Sequence, residues 1–133
     1  MVTETPKQCL RLMAALAVRG AFETAIVPAF EADLNIKVVI DWAPTSMIMS
    51  KVAAGGRADV VVVIADSMDR LVEQGKVDPT SRIEVAHSRL GLAVRRGAAH
   101  PDISTVEAFT KALLAARSVA FSESGASGIC FAK

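Results

Sequence analysis

Asp59-Val60-Val61-Val62-Val63-Ile64 is the stretch that decides the fold. It is apolar on both alternating faces and rich in β-branched residues, the pattern of a strand covered from both sides, and so it is expected as the central strand of a parallel sheet. Working outward, Asp66 or Ser67 can cap a short helix that runs through Met68, Leu71 and Val72 to Gly75. Upstream, Gly55-Gly56 should stop a helix carrying Met47, Ile48 and Val52, which Thr45 or Ser46 can cap. Before it, Ile36-Lys37-Val38-Val39-Ile40-Asp41-Trp42 follows the turn-like Asp33-Leu34-Asn35 and has strand composition. The first unit pairs the short apolar strand Leu10-Arg11-Leu12-Met13-Ala14-Ala15 with a helix from Ala21, in which Phe22, Ala25, Ile26, Ala29 and Phe30 fall at helical spacing. Pro28 should kink or interrupt that helix, because it removes a donor and crowds the carbonyl four residues earlier. Three βα units joined by short loops specify a right-handed parallel sheet.

The second half is less regular. Asp78-Pro79 marks a turn, residues 82–86 are expected to be extended, and Leu90-Gly91-Leu92-Ala93-Val94 is expected as a strand closed by Arg95-Arg96-Gly97. Ser104-Thr105-Val106-Glu107 matches a capping box that opens a helix with Val106, Phe109, Leu113 and Leu114 on its apolar side. Ser118-Val119-Ala120-Phe121 is expected as a strand, feeding Ser122-Glu123-Ser124-Gly125-Ala126-Ser127-Gly128 and a helix start. On this reading residues 1–86 form a first α/β lobe, and residues 87–133 form a crossover strand and the incomplete start of a second.

Composition narrows the function classes. The chain has 133 residues, 52% of them hydrophobic and 22% charged, which excludes a disordered chain and suits helices packed on a sheet. A formal charge of +1 and the absence of any dense Lys/Arg run argue against nucleic acid as a partner. No apolar run of about 18 residues exists to span a membrane. The N-terminus lacks the charged start and apolar stretch of a secretory signal, so the chain as written would stay in the cytoplasm. Cys9 and Cys130 have no partner at metal-ligand spacing and are expected to be buried structural thiols; no metal or cofactor is expected.

The informative pattern is positional. Ala15-Leu16-Ala17-Val18, Ala43-Pro44-Thr45-Ser46 and Ser124-Gly125-Ala126-Ser127-Gly128 each join a strand to a helix through small or hydroxylated residues. At the carboxyl ends of parallel strands such loops offer unpaired amide donors and positive helix ends, and can hold a small anion without Arg or Lys. The competing structural role is that Thr45, Ser46 and Ser127 cap their helices, and the two roles are compatible. Catalytic motifs are missing: Ile129 stands where a nucleophile elbow after Ser127 needs glycine, and no phosphate-binding or dinucleotide loop is present. His87 and His100 stand apart from each other and from acidic partners at motif spacing. Asp66 and Asp69 follow helix-dipole complementarity, and Arg95-Arg96 fits a solvated turn. The chain is therefore expected not to be an enzyme.

Several stretches, taken together and in order, resemble the periplasmic molybdate-binding proteins. They are Leu12-Met13-Ala14-Ala15, Phe30-Glu31, Ile48 through Ala58-Asp59-Val60, Ala65-Asp66, Met68-Asp69-Arg70-Leu71-Val72 and Val77-Asp78-Pro79, continued by Ser88-Arg89-Leu90, Ala115-Ala116-Arg117-Ser118-Val119-Ala120 and Gly128-Ile129. The resemblance implies a type II periplasmic-binding-protein fold, with two α/β lobes closing on a tetrahedral oxyanion that is handed to an ABC transporter permease, and thus a periplasmic location. It implies ligand contacts at Ala17 or Val18, where the family's first-loop serine is replaced, at Thr45 with Ser46 beside it, and at Ser127 ahead of Gly128. A family tyrosine from the second lobe has no counterpart in a chain without tyrosine. The implied ligand is a small anion, either a molybdate-like oxyanion or an organic anion. A cytoplasmic ligand-sensing domain of a regulator is the alternative role. A lobe ending in mid-fold should also expose apolar surface and a sheet edge, favouring a homo-oligomer or a strand-exchanged dimer.

Overall fold

Strand β1 (Cys9–Ala15) organises the computed structural model, which describes residues 9–132. It pairs in parallel with β2 (Lys37–Ala43) along its whole length, from Cys9 opposite Lys37 to Ala15 opposite Ala43. On its other side Leu12, Met13 and Ala14 pair in parallel with β3 (Val60–Val62), giving the order β2-β1-β3. The fold is α/β with a parallel sheet, as expected, but the centre of the sheet is elsewhere. Leu12, Met13, Ala14 and Ala15 are buried, whereas Val60 is 41% exposed, so the 59–64 run is an edge strand and not the central one. An apolar run says that a strand has covered faces; it cannot say whether both of its edges are paired. Asp59 finishes the β1–β3 ladder, its N–H donating to the Arg11 carbonyl (2.8 Å) while its carboxylate accepts the Arg11 N–H (2.7 Å).

The connection from β1 to β2 is helical from the end of the strand, not from Ala21. A 3-10 turn (Leu16–Val18) leads into α1 (Arg19–Ala21), a π-helical turn (Phe22–Ile26) and α2 (Val27–Leu34). At Pro28 the run stays helical, but its regular α-helix is interrupted just ahead of the ring. The Val27 N–H reaches the Phe22 carbonyl five residues back, and this widened turn takes up the crowding just before the ring. Asn35 then ends α2 at φ +52°, a left-handed conformation that asparagine tolerates better than most residues, with its N–H on the Glu31 carbonyl (3.0 Å). Glu31 also anchors the start of β2 by accepting from Lys37 Nζ (2.7 Å) and from the Val38 N–H (2.8 Å). The Lys37 hydrogen bond first, and the Val38 N–H second, hold this carboxyl below its ordinary value of 4.5.

Helix α3 (Thr45–Ala53) follows β2, and α4 (Ala65–Glu73) follows β3. Gly55 and Gly56 do stop α3. Gly55 takes φ +88°, and the Gly56 N–H bonds the Lys51 carbonyl so closely that a Cβ there would sit 2.8 Å from the same oxygen. The core is small: Met13, Ala15, Ala43 and Ile48 pack together with Val52, Val61 and Val63 around them, and Leu71 of α4 is buried at 1% exposure.

Beyond α4 several expectations fail. Residues 82–86, 90–94 and 118–121 form no strand, and Ile83, Leu90 and Phe121 are exposed. Strand-forming residues need a partner edge, and these segments do not pair with the sheet. Asp78 does mark a turn, accepting from the Thr80 N–H (2.8 Å) ahead of a 3-10 turn (Pro79–Ser81). Helix α5 (Val106–Ala115) is present, but its cap is Thr105, which accepts from the Ala108 N–H (3.1 Å), not a box between Ser104 and Glu107. Val106 and Leu114, expected on its apolar side, are each 83% exposed. Helix α6 (Ala126–Phe131) joins α5 through Phe131, whose ring stands 6.4 Å from that of Phe109 and 5.0 Å from that of Phe121. Cys9 and Cys130 are both exposed, contrary to the expectation of buried thiols, because they lie at the first position of β1 and near the end of α6. The polar N-terminal segment read from the sequence, residues 1–7, lies outside the described residues. No helix among the described residues is long and apolar enough to cross a membrane.

Two outcomes follow from this packing. Ile48→Ala, which empties the best-buried position of the core, should cost about 2–5 kcal/mol in urea denaturation. Because the folded-state pKa of Glu31 is lowered, its contribution is complete above the ordinary value of 4.5 and is lost as pH falls through the folded value. Glu31→Gln should therefore flatten the acid side of the stability profile and leave its shape above pH 6 unchanged, as measured by thermal melts across about pH 2 to 7.

Candidate functional site

All three strands are parallel, so the loops after β1, β2 and β3 leave the sheet at one edge. The chain passes from β1 to β2 on one side and returns across β1 to β3 on the other, and such a reversal opens a crevice outside the strand ends. An open cleft of about 2350 Å³ lies there and extends along the β3 edge. Ala17, Val18, Thr45 and Ser127, expected from the sequence as ligand contacts, all line it. The three turns thus share one cavity. Ser46 and Gly128 stand behind it: the Ser46 hydroxyl donates to the Ser124 carbonyl (3.3 Å), and Gly128 is buried against the carbonyl of Ser122.

The start of α3 supplies the most specific feature. Pro44, not Thr45 or Ser46, occupies the cap position, and no side chain caps the helix. The N–H groups of Met47 and Ile48 are taken by the Pro44 carbonyl (2.9 and 3.1 Å), while those of Thr45 and Ser46 have no acceptor within the helix by position. Thr45 is only 2% exposed, and its Oγ1 has no hydrogen-bond partner among the described residues. A buried hydroxyl left unpaired costs roughly 1–3 kcal/mol. Helix caps satisfied by the protein itself would not leave this atom open.

The other two rims differ. Residues Leu16 and Ala17 begin the helical run after β1 and present backbone amides but no hydroxyl, consistent with the replaced serine. At β3 neither Asp66 nor Ser67 caps α4, whose cap position is Ile64; Ser67 is buried, and Asp66 lines the cleft in the first turn. Its negative charge leaves the acceptor-poor part of the rim at β1 and β2. Helix α6 has six residues, too few aligned peptides for a strong positive end, so Ser127 contributes a hydroxyl and not a dipole.

Sequence reasoning missed three wall components. Phe22 lines the cleft and stands edge-on to Trp42 at 6.1 Å, with the Arg19 guanidinium 6.0 Å from the same indole ring. The i,i+3 spacing of Arg19 and Phe22 was the available signal. Asp66 was read only as a cap. His87 was taken as isolated, yet its Nε2 lies 2.7 Å from Glu84 Oε1, both residues lining the cleft and both exposed.

Comparison with known proteins bears on this arrangement. The sequence pattern of the family described as "Bacterial extracellular solute-binding protein" matches residues 10–130. The chain belongs to that family. Its members' description as extracellular and solute-binding agrees with a cleft at the strand ends, while molybdate as the particular ligand goes beyond what the family match supports. One curated relative of this solute-binding chain is an "Aconitate isomerase" of Pseudomonas sp., 34% identical over 134 residues, covering 97% of this chain and 50% of the relative. The chain therefore spans about half the length of that relative. An enzyme among such relatives corrects the expectation that the chain is not an enzyme. The physical reason for the miss is plain: rearranging one bound molecule demands a shaped cleft and proton-carrying groups, not the nucleophile or phosphate-loop motifs that sequence inspection recognises.

Thr45→Val swaps the unpaired hydroxyl for a methyl of nearly equal size. It should stabilise the ligand-free protein by about 1 kcal/mol in chemical denaturation. A destabilisation of similar size would mean that Oγ1 is satisfied.

Proposed function

We propose that the cleft binds a small organic carboxylate of the aconitate class through Thr45 Oγ1, the amides at the starts of α3 and of the β1 helical run, and the Ser127 hydroxyl. The observation that carries this reading is the buried, unpartnered Thr45 hydroxyl on the cleft wall. A carboxylate is an acceptor only, so it matches a rim made of N–H and O–H donors. The name of the relative supports an organic anion over molybdate, and so does the missing hydroxyl at Ala17 and Val18, since a compact tetrahedral oxyanion needs donors on every side. A tricarboxylate is longer, and the same wide cleft offers Arg89 on its wall for groups beyond the rim, while Arg82 on that wall is ion-paired with Asp69.

Within this reading the bound acid is either delivered to a membrane permease or rearranged in place. The family description favours delivery and the relative's name favours rearrangement.

Calorimetric titration of the chain with aconitate, molybdate, sulfate and phosphate tests the proposal. Aconitate should give saturable heat, and Thr45→Val should weaken it by about ten- to a hundredfold, the effect of losing one hydrogen bond to a charged group. Equal, featureless heats for all four anions would sink it. Incubation of the chain with aconitate, followed by proton NMR for a second isomer, separates rearrangement from binding alone.

A further inference from the structure

Ser46 follows the buried Thr45 directly, yet its hydroxyl turns away from the cleft and donates to the carbonyl of Ser124, 78 residues further along the chain and 3.3 Å away. The loop that accepts this bond is held by contacts of its own. The Gly125 N–H bonds Ser122 Oγ (3.1 Å), and Gly128 lies so close to the Ser122 backbone that a Cβ there would meet the carbonyl oxygen at 1.4 Å. Side chains larger than hydrogen have no place at that contact. At its far end the unit is tied by Phe131 to Phe109 and Phe121, neither of which belongs to the sheet. These contacts tie residues 122–131 together, and Ser46 supplies a hydrogen bond from α3 to them.

We infer that Ser46 is a positioning residue: by holding the Ser124 carbonyl it fixes how far the Ser127 hydroxyl stands from Thr45 across the cleft. A carboxylate gripped from both walls requires that separation to be held to a few tenths of an ångström, because hydrogen bonds to a charged acceptor weaken steeply with distance and angle. The inference rests on the carboxylate reading given above. The Ser46 hydroxyl itself touches no ligand. It acts through Ser127, and its effect must vanish when Ser127 can no longer donate.

The test is a double-mutant cycle on aconitate affinity, read by calorimetry. Ser46→Ala should raise Kd about fivefold, Ser46→Thr, which keeps the hydroxyl, should restore it to within about twofold, and Ser46→Ala placed in a Ser127→Ala background should change Kd by less than about twofold. Amide exchange at residues 124–128 should quicken in Ser46→Ala while that of β1 stays as in the wild type. Should the wild type bind and Ser46→Ala bind equally, or should the two alanine effects simply add, the positioning role is overturned and the cleft reading survives. A wild type that binds no anion overturns both.

Discussion

Everything in this chain is arranged around the burial of β1. Seven residues of that strand are matched one for one with β2, and three of them also with β3, so the middle of the chain's first segment is enclosed by backbone on both edges. Parallel neighbours can be reached only by crossing the sheet, and the crossings supply α2, α3 and the turns that begin them. Because β1 is small at its end, with Ala14 and Ala15 buried, the strand can pass under α3 closely enough for Ile48 to be fully covered. The position of the cleft is a by-product of this enclosure. Loops from three strands leave one edge, and no fourth strand is needed to make them meet.

Within that frame the chain tolerates one local disadvantage. A fold optimised only for stability would satisfy Thr45 Oγ1 or replace it, and this one does neither. Around it the surroundings are made rigid: Pro44 fixes the entry to α3, Ile48 seats the helix, and the pinched contact between Gly128 and Ser122 stiffens the opposite wall. Rigid supports around an open polar atom are what a binding wall requires, because a mobile wall would relax and bond to itself.

Much of the first half was legible in the sequence for a physical reason. β1, β2, α3 and α4 are specified by local signals, namely the short apolar run of β1, the β-branched run of β2 and the glycines at 55 and 75 that take a positive φ. Which strand lies in the middle was not legible, since the valine run at 60–63 carries the stronger hydrophobic signal yet holds only the edge. The interruption expected at Pro28 takes the form of a widened turn before the ring, a form that composition does not specify. In the second half, residues 90–94 and 118–121 have strand composition but lack a partner edge, and pairing is a non-local property. For the candidate site, small and hydroxylated loop residues pointed to positions that line the cleft, while the distinction between Thr45, which lines it, and Ser46, which bonds the Ser124 carbonyl, needed coordinates.

The exposure of both cysteines has a redox consequence for a member of an extracellular family. Thiols at the surface, one of them on the wall of the cleft, are open to air oxidation and to mixed disulfides with small thiols in an oxidising medium. An adduct at Cys130 would crowd the entrance used by a solute. Whether the preparation is kept under reductant therefore bears directly on how much of it can take up anything at all.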